Sequence, residues 1–194
     1  MLNSILKDKK IILASASPRR KELLAGLGVD FTVDTGNTFE EIAPVGMPLA
    51  ELPEYMAKGK SHGFHRDLQN DEILITADTM VLSSDEIMGK PKDREDAIRM
   101  IQKLQDNTHV VLTGVCIRSL EKEASFTVST DVIFGKLDPS EIDYYIDTYK
   151  PYDKAGAYGV QEWIGYAGIK GLDGSFYNVM GLPVHKLYNE LKQF

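Results

Sequence analysis

The feature that most constrains this chain is a short apolar run near its start. Ile11-Ile12-Leu13-Ala14 is followed at once by Ser15-Ala16-Ser17-Pro18-Arg19-Arg20, and then by Lys21-Glu22-Leu23-Leu24-Ala25-Gly26-Leu27. Four apolar residues in succession, without polar alternation, suit a strand covered on both faces by other elements. Residues 17–27 predict a helix at the strand's carboxyl end. Ser17 is a capping residue, Pro18 suits the first helical position, Leu23, Leu24 and Leu27 share a face, and Gly28 ends the run. A helix start presents unpaired N–H groups and the positive end of its dipole, which is where anions bind. A chain that opens this way is expected to be α/β.

The rest of the sequence extends that reading. Phe31-Thr32-Val33-Asp34 predicts a second short strand, residues 36–50 a loop, and Glu51 to about His65 a helix. A second strong apolar run, Ile73-Leu74-Ile75-Thr76-Ala77, ends at Asp78-Thr79, with Met80-Val81-Leu82 as a continuation. Ser83-Ser84-Asp85-Glu86 reads as a turn, Gly89-Lys90-Pro91 as a rigid loop, and Asp93 to Leu104 as a helix. His109 to Arg118 and Ala124 to Leu137 read as two β segments, antiparallel around Glu121-Lys122-Glu123. Asp138-Pro139-Ser140-Glu141 opens a helix, the glycine-rich stretch 154–181 predicts loops and short strands around a site, and Pro183 begins a C-terminal helix. No linker, repeat or low-complexity tract breaks the chain, so one mixed α/β domain over residues 1–194 is expected. Two lobes around a cleft are part of that expectation, although periodicity does not place the cleft.

Composition enters as a filter on function. With 22 basic and 29 acidic side chains the formal charge is -7, so the surface repels polyanions and broad nucleic-acid binding is disfavoured. A small phosphorylated ligand is still compatible, because a local cluster of Lys and Arg can override the net field. The single cysteine, Cys116, rules out an intrachain disulfide and fits a reducing compartment. Residues 1–10 hold no apolar core of signal-peptide length, and no apolar run approaches the roughly 20 residues of a membrane-spanning helix. The expectation is a cytoplasmic protein with no membrane partner.

Four segments have the residue types for phosphate chemistry. Ser15 to Arg20 places two hydroxyls and two guanidiniums at a strand-to-helix turn, a compact phosphate receptor, although a capped helix with solvated arginines has the same pattern. Asp78-Thr79 closes a buried apolar run, where a carboxylate can hold Mg2+ or orient a water; a plain turn is the alternative. Lys90, between glycine and proline, is a cation of limited freedom, whereas most turn lysines are solvated. In Asp153 to Gln161 the small residues admit a ligand close to the backbone, and Gln161 can read a base edge with both donor and acceptor. Lys58, Lys60, Glu40 and Glu41 are weak signals taken singly. His62, His65, His109 and His185 have no metal-ligand spacing and are expected at the surface or as helix caps. Cys116 is expected in the core, and Trp163 as a packed aromatic rather than a base-stacking one.

Taken together and in order, these segments resemble the Maf family of nucleotide pyrophosphatases. The resemblance runs from Leu13-Ala14-Ser15-Ala16-Ser17-Pro18-Arg19-Arg20, through Ala77-Asp78-Thr79, Gly89-Lys90-Pro91 and Lys154-Ala155-Gly156-Ala157-Tyr158-Gly159-Val160-Gln161, to Val179-Met180-Gly181-Leu182-Pro183. It implies a mixed, bent sheet flanked by helices in two lobes around a nucleotide cleft, a Maf/ITPase-like fold. It also implies cleavage of a nucleoside triphosphate to the monophosphate and pyrophosphate with a divalent cation, Mg2+ or Mn2+, and a homodimer as the assembly.

Within the resemblance, Asp78 matches the family's catalytic base, and Lys60 and Lys90 match its lysines. Ser15 and Arg20 belong to its phosphate-binding turn. Glu40 matches the loop carboxylate assigned to metal, with Glu41 one residue away; Asp78 is the second metal ligand, so base and ligand compete for one carboxylate. Arg19, Thr79 and Gln161 match the positions associated with the branch acting on dTTP and UTP, which implies a role in cleaning the nucleotide pool, modified pyrimidines included. Glu162-Trp163-Ile164 departs from the glycine that often comes after Gln161 in that branch. Two alternatives stand beside this expectation: a 7-methyl-GTP pyrophosphatase, and a non-catalytic nucleotide-binding regulator of septum formation.

Overall fold

A computed structural model of the protein describes residues 2–84 and 86–194. After a short helix α1 (Leu2–Ile5), the opening apolar run becomes β1 (Lys10–Leu13), in which Ile11, Ile12 and Leu13 are buried. β1 lies between two parallel neighbours, with Leu13 opposite Val33 of β2 (Phe31–Val33) and opposite Ile75 of β3 (Glu72–Ser83). A strand paired on both sides and covered on both faces has no solvent side, hence the missing alternation. β4 (Glu86–Met88), β5 (Thr108–Arg118), β6 (Glu123–Phe134) and β7 (Ile169–Asp173) complete a seven-stranded mixed sheet. Its order is β2-β1-β3-β5-β6-β7, with β4 antiparallel to the far end of β3. The flanking helices are α2 (Pro18–Ala25), α3 (Leu52–His62), α4 (Arg94–Leu104), α5 (Pro139–Tyr149), α6 (Trp163–Ala167), α7 (Phe176–Met180) and α8 (Val184–Leu191). None of the helices in the described residues is long and apolar enough to cross a membrane.

The chain divides into two compact units. The first comprises Met1–Asp78, Thr113–Val128 and Gly181–Phe194; the second comprises Thr79–Leu112 and Ser129–Met180. In the first unit α3 packs so closely on β5 that a Cβ at Gly114 would lie 2.2 Å from the Pro53 carbonyl carbon. Only glycine permits that approach. The buried Thr76 of β3 donates its hydroxyl to the Ala57 carbonyl of α3 at 2.7 Å, fixing the helix along the strand. In the second unit α4 and α5 are joined by Arg94, which donates to Asp143 at 2.6 Å and to Asp147 at 2.8 and 2.9 Å.

Three expectations change. Asp78 lies inside a twelve-residue strand and not at its end, because residues 81–83 go on to pair with β4. It is β1 that stops here, its pairing with β3 ending at Leu13 and Ile75. α2 ends at Ala25, and Gly26 already caps it, donating to the Glu22 carbonyl. The 154–181 stretch holds a 3-10 turn at Ala155–Ala157 and the helices α6 and α7 as well as β7. Of the expected turn at 83–86, Asp85 lies outside the described residues.

Two ring side chains pack within the second unit. His109 is not a surface residue: it is 1% exposed, bonded through Nε2 to the Tyr158 hydroxyl at 2.7 Å and packed beside Phe134. Burial lowers its pKa from 6.5 to about 4, so the ring is neutral. Trp163 packs edge-on against Tyr144 with ring centroids 5.2 Å apart.

Candidate active site

The strand-to-helix turn is built as its residues dictate. Ser17 caps α2 by accepting from the Arg20 N–H at 3.5 Å, and Pro18 takes the first turn. Ser15, 8% exposed, accepts from the Ser17 N–H and from Arg20 Nη1, both at 3.3 Å. Arg20 Nε donates to the Gly181 carbonyl at 2.9 Å, which anchors the guanidinium from a distant part of the chain. Burial holds Arg20 below its usual guanidinium range. Asp78 opposes that effect, Arg19 adds to it, and Glu41 opposes it. Arg19, Arg20, Glu41 and Asp78 therefore share one electrostatic neighbourhood in the first unit.

Lys60 completes that neighbourhood. It projects from the last turn of α3 and reaches Asp78 Oδ1 at 2.6 Å and Glu41 Oε1 at 3.1 Å. The Lys60 and Asp78 side chains are 17% and 15% exposed, whereas Glu41 is 59% exposed. A helix leaves its last carbonyls without partners, and here side chains supply them. Asn37 Nδ2 donates to the Lys60 carbonyl at 2.5 Å, Arg118 donates to the Ser61 carbonyl at 2.5 Å and its hydroxyl at 2.9 Å, and Thr38 donates to the Gly63 carbonyl. The backbone that carries Lys60 is thus fixed from both sides.

Two carboxylates on one ammonium are hard oxygen donors gathered around a positive charge. Among the described residues no three His, Cys, Asp or Glu gather to hold a metal by themselves. The set suits a cation that takes one or two carboxylates and completes its shell from phosphate oxygens and water, as Mg2+ does. Glu40, by contrast, is exposed, and it is the neighbouring Glu41 that meets Lys60.

The second unit carries Thr79, Lys90 and Gln161. Lys90 is exposed in its loop, which is tied to the glycine-rich segment where Gly156 N–H donates to the Gly89 carbonyl at 3.1 Å. Gln161 holds its side-chain carbonyl oxygen Oε1 buried with no hydrogen-bond partner among the described residues. A buried acceptor without a donor is costly unless a ligand supplies one.

A cavity of about 910 Å³ also lies in the first unit, on the α3 face bearing Tyr55, Lys58 and His62, with Phe39, Met47 and Thr127. It contains none of Ser15, Arg19, Arg20, Glu41, Lys60 and Asp78. Glu123 already engages both of its basic side chains, His62 at 2.7 Å and Lys58 at 4.0 Å, so the cavity is a poor receptor for phosphate. Cys116 is buried, and burial pushes its thiol up to about 11, which removes it as a nucleophile at neutral pH.

Sequence reasoning named Glu41 beside Glu40 without choosing it, and it missed Asn37, Arg118 and Gly181 as supports. Arg118 left a signal, as the only charge in the apolar run of β5. The others left none, because loop–helix contacts have no periodicity.

Known proteins share this sequence over almost its whole length. A family model described as Maf-like protein matches residues 10–194. The dTTP/UTP pyrophosphatase of Parabacteroides distasonis is 52% identical over 189 residues, covering 97% of this chain and 98% of that protein. The protein of the same name from Bacteroides thetaiotaomicron is 52% identical, covering 97% of each, and that from Flavobacterium psychrophilum is 47% identical, covering 97% and 96%. Among solved structures, a HAM1 protein from Coxiella burnetii is similar over 65% of this chain and 73% of its own, at 15% identity and a TM-score of 0.39, too distant to add to the topology above.

Proposed function

The chain belongs to the Maf family, and from that premise we propose that it is a nucleoside triphosphate pyrophosphatase that cleaves dTTP and UTP to the monophosphate and pyrophosphate. The relatives' shared name supports the substrate class. The observation that carries the chemistry is the meeting of Asp78, Glu41 and Lys60 beside the Ser15–Arg20 turn.

Each residue has a role that its position supports. Arg19 and Arg20 meet the negative phosphate oxygens, Arg20 from a guanidinium already set by Ser15 and Gly181. Lys60 donates to Asp78 Oδ1, which leaves Oδ2 to accept the proton of a water attacking the α-phosphorus. The positive end of the α2 dipole adds to the charge that meets the phosphate oxygens. Lys90 and Thr79 serve the phosphates, and Gln161 serves the base. A divalent cation, Mg2+ or Mn2+, would be held by Asp78 and Glu41, whose geometry favours it over Glu40, and would neutralise charge on the departing pyrophosphate. Asp78 is base and ligand in this reading. A cytoplasmic location, action on modified pyrimidine nucleotides, a homodimer and a single functional domain belong to the same proposal.

Asp78→Asn tests it. The variant should lose at least about 100-fold in kcat while still binding UTP in a titration with Mg2+. Near-normal turnover would remove Asp78 from the mechanism.

A further inference from the structure

The turn that presents Gln161 is held by side chains with no assigned task. Gly159 to Glu162 form a turn closed by the Glu162 N–H on the Gly159 carbonyl at 3.0 Å, with Gln161 inside it. One phenol ties both ends. The Gly159 N–H donates to the Tyr145 hydroxyl at 2.9 Å, and that hydroxyl donates to Glu162 Oε2. The other carboxylate oxygen, Oε1, faces the Lys154 ammonium at 3.1 Å, and Lys154 is itself buried.

The packing leaves no slack. A Cβ at Gly159 would lie 2.9 Å from the Glu162 carboxyl carbon and 3.1 Å from Lys154 Cε. Tyr145 is fully buried, and burial together with the Glu162 carboxylate pushes its phenol above the usual range, so the hydroxyl keeps its proton. Glu162 stands where the resemblance led one to expect glycine, and its carboxylate is spent on this turn.

We propose that Glu162, Tyr145 and Lys154 are positioning residues that fix the Gln161 carboxamide and thereby set the preference for uracil and thymine; this rests on the pyrophosphatase reading above. A fixed, buried acceptor complements the imide N3–H of those two bases. Cytosine presents an acceptor at N3 and would leave Gln161 Oε1 without a donor. A site built to hydrogen-bond one pattern discriminates strongly against the analogue that lacks it. A carboxamide free to rotate would present either face and lose that discrimination.

The test measures kcat and KM for UTP, dTTP and CTP, with thermal melts, for the wild type, Glu162→Ala, Glu162→Gln and Tyr145→Phe. Glu162→Ala should raise KM for UTP and dTTP about tenfold, keep kcat within about threefold, and lower the UTP over CTP preference about tenfold. Glu162→Gln, which still accepts from Tyr145 through its carbonyl oxygen, should recover most of the preference. Tyr145→Phe preserves shape and should lower the preference if Glu162→Ala does not fold. On a Gln161→Ala background, Glu162→Ala should cause no further loss. An unchanged preference in Glu162→Ala and Tyr145→Phe, or an equal fall in kcat for all three nucleotides, would overturn the positioning role alone. A wild type that turns over neither UTP nor dTTP would overturn the pyrophosphatase reading, and the positioning role with it.

Discussion

In the proposed mechanism Lys60 is the residue on which the phosphate chemistry turns, because its ammonium bridges Asp78 and Glu41. Lys60→Met should reduce kcat about 10²–10³-fold, the range seen when a preorganised charge is removed from a reacting site; turnover within about threefold of the wild type would remove it from the chemistry. Glu41→Gln should lower kcat/KM with Mg2+ at least about tenfold, while Glu40→Gln stays within about twofold, because it is Glu41 that reaches Lys60. Steady-state kinetics on the pair decides between them, and equal losses would mean that the loop rearranges around the nucleotide. Ser15, Arg20 and Asp78 were legible in the sequence as candidates for phosphate chemistry, since strand, cap and charge sit adjacent in the chain. That Glu41 and not Glu40 meets Lys60 was not. Both lie in a turn-rich loop, and which carboxylate faces α3 depends on contacts such as Asn37 with Lys60, separated by 23 positions.

At the scale of elements, α3 and β3 matter because they hold Lys60 and Asp78 at 2.6 Å. Thr76 sets the register of one on the other, and Arg118 closes the helix end. Arg118→Ala leaves the Ser61 carbonyl without that donor and should cost about 1–3 kcal/mol of stability by urea denaturation, with a fall in kcat that outlasts correction for the folded fraction. Unchanged stability and turnover would show that packing alone holds the end of α3. The strands were legible where apolar runs are continuous. β3 misled at its middle, since Asp78-Thr79 looks like an end when read alone. The strand continues because β4 supplies a partner for residues 81–83, and a three-residue strand with one buried residue, Met88, has too little pattern to foresee.

At the scale of the whole molecule, the pH dependence of stability is set in part by a buried histidine. His109 has its pKa lowered to about 4 against 6.5 when unfolded, so between these values the unfolded chain binds a proton that the folded chain refuses. Its contribution is complete above about pH 6.5 and is lost as the pH falls through 6.5 towards 4. Between pH 7 and pH 5 the loss should be about 2 kcal/mol. His109→Gln should flatten that part of the curve in urea titrations, and an unchanged slope would place the titration elsewhere. The burial of this ring was hidden in the sequence, because its partners Phe134 and Tyr158 lie 25 and 49 positions away on other elements.

The roles proposed for the site residues serve one proposed reaction, the cutting of a pyrimidine nucleoside triphosphate between its α- and β-phosphates. An incubation with canonical, methylated and modified nucleoside triphosphates, with Mg2+ or Mn2+ and identification of both products, tests it without an intermediary. Pyrophosphate with UMP or dTMP, and little turnover of purine nucleotides, is the expected result. Inorganic phosphate with a diphosphate product, turnover centred on 7-methyl-GTP, or binding without turnover would contradict it.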